Sequence, residues 1–156
     1  MTASNRILAG TAAALALALI ATVAIKLTRT APETVTPVAA ESPCDLQHGA
    51  CTARLPGGGR LTFAIEPRPI PVLKPIQLRV QVEDLRPRAV EVAFSGTDMD
   101  MGVNRTVLKE EGEGRYAGPG MLPVCVRDRM NWRATVLVTT ADAKLSVPFL
   151  FETVRN

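Results

Sequence analysis

Apolar side chains that alternate every second residue, no helical period after Ile25, and one uncharged apolar run near the start together predict an all-β chain. The expected architecture is an immunoglobulin-like antiparallel β-sandwich preceded by one N-terminal transmembrane helix. With 156 residues the chain has room for one domain and an appendage, and too few for two ordinary domains. Three parts are expected: 1–27 as a membrane anchor or signal peptide, 28–43 as a Pro/Ala/Thr-rich linker, and 44–156 as the sandwich with a cysteine loop at its start.

The run from Ile7 to Ile25 carries no charge and is broken only by Gly10, Thr11 and Thr22. As a helix it would be about 28 Å long, close to the roughly 30 Å hydrocarbon core of a bilayer. A cleavable signal peptide is the alternative. Its apolar region is usually nearer about 7 to 15 residues, and the small residues Val38-Ala39-Ala40 lie too far downstream for cleavage. An uncleaved anchor is therefore favoured. Arg6 precedes the run and Lys26 and Arg29 follow it, so the positive-inside rule is close to balanced once the initiator amine is counted. The cysteines then decide for an oxidising compartment. The expected location is the bacterial inner membrane, single-pass, with the main domain in the periplasm.

From Thr28 to Pro43 the composition turns to Thr, Ala, Pro, Glu and Val, with prolines at 32, 37 and 43. No hydrophobic period survives there, which predicts an extended tether. Cys44-Asp45-Leu46-Gln47-His48-Gly49-Ala50-Cys51 follows. Its spacing is wide for a zinc knuckle or a two-residue redox motif. A local disulfide is the leading expectation, stabilising by about 2.5 kcal/mol in the chain-entropy picture. A bond from either cysteine to Cys125 is one alternative, and reduced cysteines joining His48 on a metal is another. The odd cysteine count leaves one thiol over, Cys125 on the leading assignment.

In the domain, Leu61, Phe63 and Ile65 form the first alternating set, and Pro67, Pro69, Pro71 and Pro75 interrupt it. Ile76, Leu78, Val80 and Val82 alternate with Gln77, Arg79, Gln81 and Glu83, the clearest half-buried strand. Val90, Val92 and Phe94 make a third. Shorter strands are expected from Thr106 to Lys109 and past Tyr116. Trp132, Ala134, Val136 and Val138 form a strong late strand. Leu145, Val147, Phe149 and Phe151 close the domain, with Pro148 pointing to an edge position.

Several function classes fall away on composition. The net charge of +3 is scattered and forms no basic stripe with aromatics, so no nucleic acid partner is expected. His48 is the one histidine, which leaves little for serine–histidine or cysteine–histidine chemistry or for a multi-histidine zinc site. Pro56-Gly57-Gly58-Gly59 lacks the Lys-Ser/Thr ending of a phosphate loop. With no acid–base pair and no nucleophile beside a base, an enzyme is not expected.

The informative feature is sulfur. Every methionine after the initiator lies between Ser95 and Trp132: Met99, Met101, Met121 and Met130, with Cys125 among them. Clustered soft donors point to a soft metal, Cu(I) first. If the strand phase of Val90, Val92 and Phe94 continues, Met99 and Met101 face outward, with α-carbons about 6.6 Å apart. Cys125 is out of phase with Leu122, Val124 and Val126, and so is expected on the metal side. The rival, a calcium loop starting at Asp98, has Val103 where the turn glycine belongs and Lys109 where the bidentate glutamate belongs. A purely structural use of the methionines, filling an irregular core end, is the other alternative.

The succession Met99-Asp100-Met101-Gly102, Gly114-Arg115-Tyr116 and Met130-Asn131-Trp132-Arg133-Ala134, followed by an alternating strand, resembles the YtkA-like/FixH-like domains. The resemblance covers roughly Leu61 to Glu152. It implies a small, membrane-anchored, extracytoplasmic immunoglobulin-like module without enzymatic activity. The implied role is copper homeostasis or metallochaperone work in assembling a copper-containing respiratory oxidase, with a methionine pair mapping onto Met99 and Met101. The expected ligands are Met99, Met101 and Cys125, then Met130 and Met121, with Cu(I) as cofactor. The expected partners are the membrane and a copper enzyme or oxidase subunit. A metal-free interaction module aiding assembly of a membrane complex is the alternative.

Overall fold

The structure, a computed structural model, describes residues 15–22, 34–100, 102–123 and 128–154. Residues 15–22 are helical, with Leu15, Leu17, Leu19 and Ile20 exposed. Among the described residues no helix is long and apolar enough to cross a membrane. Most of the Ile7–Ile25 run lies outside the described residues.

A second compact unit begins at Thr34. Its strands are β1 (Val35–Pro37), β2 (Cys51–Arg54), β3 (Arg60–Glu66), β4 (Pro75–Glu83), β5 (Ala89–Gly96), β6 (Asn104–Val107), β7 (Lys109–Gly112), β8 (Arg115–Met121), β9 (Arg129–Thr139) and β10 (Lys144–Val154). They form two five-stranded sheets: a front sheet ordered β1-β10-β9-β5-β6 and a back sheet ordered β2-β3-β4-β8-β7. All pairings are antiparallel except β1 with β10.

Alternation drives this arrangement. On β4, Ile76, Leu78, Val80 and Val82 are buried while Gln77, Arg79 and Glu83 are exposed. β9 does the same with Met130, Trp132, Ala134, Val136 and Val138, and β10 with Leu145, Val147, Phe149 and Phe151. These inward sets from both sheets join in one hydrophobic cluster, as two half-apolar faces must if both are to leave water. Phe63 of the back sheet meets Phe149 of the front sheet with ring centroids 5.4 Å apart, a tilted contact within the favourable range for aromatic pairs. Trp132, deep in the core, donates its Nε1–H to Thr153 Oγ1 at 2.9 Å. That bond satisfies the one polar atom on an otherwise apolar side chain.

Three expectations change here. The tether expected over 28–43 is docked from Thr34 onward: β1 adds in parallel to β10, and Ala40 bridges Ala53. The strand expected from Thr106 to Lys109 is two strands that part at Leu108. β6 pairs with β5 in the front sheet and β7 with β8 in the back sheet, and the buried Leu108 is the hinge between them. The short strand β2 has no counterpart among the expected ones. Pro148, expected at an edge, lies in the stretch of β10 beyond Ser146, where β1 no longer pairs. The β7–β8 turn needs Gly114, because a Cβ there would collide with the Val82 carbonyl oxygen.

Cys44 and Cys51 form a disulfide with α-carbons 5.4 Å apart, the leading expectation. It closes the loop carrying Leu46, which is fully buried in the core. Replacing both cysteines with serine is expected to cost about 2.5 kcal/mol, read as a lower urea midpoint. Thr153→Val keeps the volume and strands the Trp132 N–H. A loss of about 1 to 3 kcal/mol is expected in the same measurement, and an unchanged midpoint would show that the bond contributes nothing.

Candidate metal-binding end of the sandwich

Register places the sulfur-bearing segments at one end. β5 stops at Gly96, opposite Trp132 near the start of β9. β8 stops at Met121, opposite Pro75 at the start of β4. β10 ends opposite Arg129. The start of the loop after β5, the end of β8 and the first residues of β9 therefore share this end, with Met99, Met121 and Met130 on them. Met101 and Cys125 lie outside the described residues.

The three described methionines differ in burial. Met130 is 2% exposed and belongs to the core cluster. Met99 is half-buried and packs against that cluster. Met121 is 50% exposed. The outward position expected for Met99 is therefore corrected. The ladder makes its last bond from the Thr97 N–H to the Asn131 carbonyl, in register at 3.0 Å, and the strand phase is lost beyond it.

Side chains then hold the loop. Asn131 Nδ2 donates to Asp98 Oδ2 at 3.0 Å, and Thr97 Oγ1 donates to Asp98 Oδ1 at 3.1 Å. Gly102 N–H donates to Asp100 Oδ1 at 2.9 Å, and Gly102 has φ 72°, a left-handed value that glycine adopts without strain. The two aspartates flanking Met99 thus act as turn formers. On the other side, Asn104 Nδ2 donates to the Met121 carbonyl at 3.0 Å, tying the start of β6 to the end of β8.

The cysteine loop reaches the same end. Gln47 accepts the Ile70 N–H at its Oε1, 2.7 Å away, and donates through Nε2 to the Glu152 carbonyl. Asp45 receives the Gln47 N–H at 2.9 Å and lies 2.8 Å from His48 Nδ1. These bonds, the backbone one first, hold its carboxyl below the usual carboxylate range. The His48 side chain is 86% exposed, as expected of a surface loop. Among the described residues no three His, Cys, Asp or Glu side chains are grouped so as to hold a metal ion. Thioether sulfur is a separate donor class.

No protein-family model, curated protein or solved structure matches this chain.

Three side-chain amides, Asn131, Gln47 and Asn104, brace this end, and none of them stands out in the sequence as a site residue. The available signal was an Asn at a strand start facing a Thr-Asp pair at a strand end, a pairing that only the register reveals. Asn131→Asp would set two carboxylates against each other and is expected to cost about 0.5 to 1 kcal/mol at this exposed site. Combining it with Asp98→Asn swaps the donor and acceptor and restores the bond. Urea denaturation of the two variants checks this, and a double variant no better than the single one would sink it.

Proposed function

We propose that this chain is a membrane-tethered periplasmic protein that binds Cu(I) and passes it on, without enzymatic activity, in copper homeostasis or the assembly of a copper oxidase. One observation supports the reading: among the described residues, Met99 after β5, Met121 at the end of β8 and Met130 at the start of β9 lie at one end of the sandwich. Met99 and Met121 supply thioethers at two depths there, one against the core and one at the surface. Thioethers can hold a soft cation without adding charge. Met99, Met101 and Cys125 remain the leading ligands and Met121 follows. Met130, deepest in the core, is the weakest member of the set.

The disulfide supports this in two ways. It fits an oxidising compartment, and it occupies two of the three cysteines, leaving Cys125 as the remaining thiol. Thioethers hold Cu(I) loosely and a thiolate adds affinity, a combination suited to transfer. The strand order supports the immunoglobulin-like reading. β3-β4-β8-β7 against β6-β5-β9-β10 follows the A-B-E-D and C′-C-F-G order of that sandwich. The resemblance to YtkA-like/FixH-like domains is proposed on the same footing.

A metal-free docking module is the second reading, favoured by the exposure of Leu73, Val103 and Met121 at this end. Leu73 N–H bonds the Leu122 carbonyl at 3.2 Å, so the first and last of these are close neighbours. Titration of residues 34–156 with Cu(I) against a competing chelator separates the two. The copper reading expects competition, weakened at least about tenfold by Met99→Leu with Met101→Leu. Failure to compete, or equal binding by the double variant, would leave the docking reading standing.

A further inference from the structure

The outward faces of both sheets are polar with single exposed apolar side chains. The back sheet presents Thr62, Gln77, Arg79, Gln81 and Glu83, with Met121 at the end of β8. The front sheet presents Val107 and Leu150, 63% and 59% exposed, among Glu91, Ser95, Arg105 and Thr135, while Ala93 and Leu137 on the same phase are buried. Leu150 is the register partner of Arg133, which pairs in turn with Ser95. Arg133 and Leu150 form the ridge between two clefts. One, of about 670 Å³, runs under Ala39–Ser42 and along Thr135 and Pro148. The other, of about 510 Å³, runs toward Thr97 and Asn131.

Charge says what would cover this ridge. The carboxylates of the face and cleft walls are already engaged. Glu91 pairs with Arg105 at 3.3 Å, Glu41 with Arg54 at 2.8 Å, Glu152 with Arg129 at 3.0 Å and Asp45 with His48 at 2.8 Å. The Arg133 side chain makes no ion pair or hydrogen bond among the described residues. An open guanidinium beside a large exposed apolar side chain is the combination that anchors protein interfaces. It offers a bidentate carboxylate site next to area that gains by leaving water.

We propose that the outward face of β9 and β10 around Arg133 and Leu150 docks a partner polypeptide that presents an acidic side chain next to an apolar one. A second copy of this chain fits poorly. An isologous contact would bring two Arg133 side chains to a face whose own carboxylates are all taken. The proposal stands apart from the copper reading and uses none of its ligands.

The test titrates the full chain, in nanodiscs of zwitterionic lipid, against a labelled Leu-Glu-Leu-Glu-Leu peptide and its Leu-Lys-Leu-Lys-Leu counterpart, followed by fluorescence anisotropy. Saturable binding of the acidic peptide alone is expected. Arg133→Glu and Leu150→Ser should each weaken it by about tenfold; both sites are exposed, so the fold is spared. Arg133→Lys should fall between, since an ammonium cannot reproduce the fork. Equal binding of the two peptides, indifference to Arg133→Glu, or no binding would overturn the proposal. So would light scattering that shows a dimer dissolved by Leu150→Ser, which would assign the face to a second copy.

Discussion

The methionine end of this sandwich depends on how the start of β9 is held against the end of β10. Within three residues, β9 turns Met130 inward, Asn131 outward and Trp132 inward. Trp132 is fixed by its bond to Thr153, inside the core, where a hydrogen bond is sheltered from competing water. That anchor sets the position of Asn131. Asn131 then holds Thr97 through its carbonyl and Asp98 through its amide. The placement of Met99 is thus inherited from a buried indole of the core cluster, through the bonds Asn131 makes to Thr97 and Asp98.

Polar bracing completes the same end. Gln47 joins the cysteine loop to Ile70 and Glu152, and the Arg129–Glu152 pair closes the outside of the β9–β10 ladder. Exposed pairs of this kind add little free energy individually. Their effect is on geometry: each spans two segments distant in sequence and fixes which loops are neighbours. The disulfide acts likewise on the segment before β2. It secures Leu46 in the core and carries the chain from the docked β1 into the back sheet.

Much of this fold was legible because long strands alternate. β4, β9 and β10 each show four or more buried residues in phase, enough to separate period two from chance. β1 and β2 span three and four residues, too few to show a period, and Pro37 weakens the first further. The split at Leu108 leaves no periodic signal, because a chain that passes from one sheet to the other also changes which phase is inward. Met99 illustrates the limit. Parity predicts a side chain's direction only while the ladder continues, and here the ladder stops at Gly96 and a side-chain network takes over.

The two proposals meet on β9. Asn131 and Arg133 are both on its outward phase, two residues apart, so their α-carbons are separated by about 6.8 Å. A carboxylate seated on Arg133 would therefore lie within one side-chain length of the amide that positions the Met99 loop. On the two proposals together, docking and metal binding share one rigid strand whose position is set by Trp132. Any preference of the partner for one arrangement of that loop would appear as a change in metal affinity, and the metal would change the partner's affinity by the same factor. A flexible tether between the two sites could not carry such a coupling, because it would let each bind without regard to the other. A strand paired on both sides, with β5 and with β10, can.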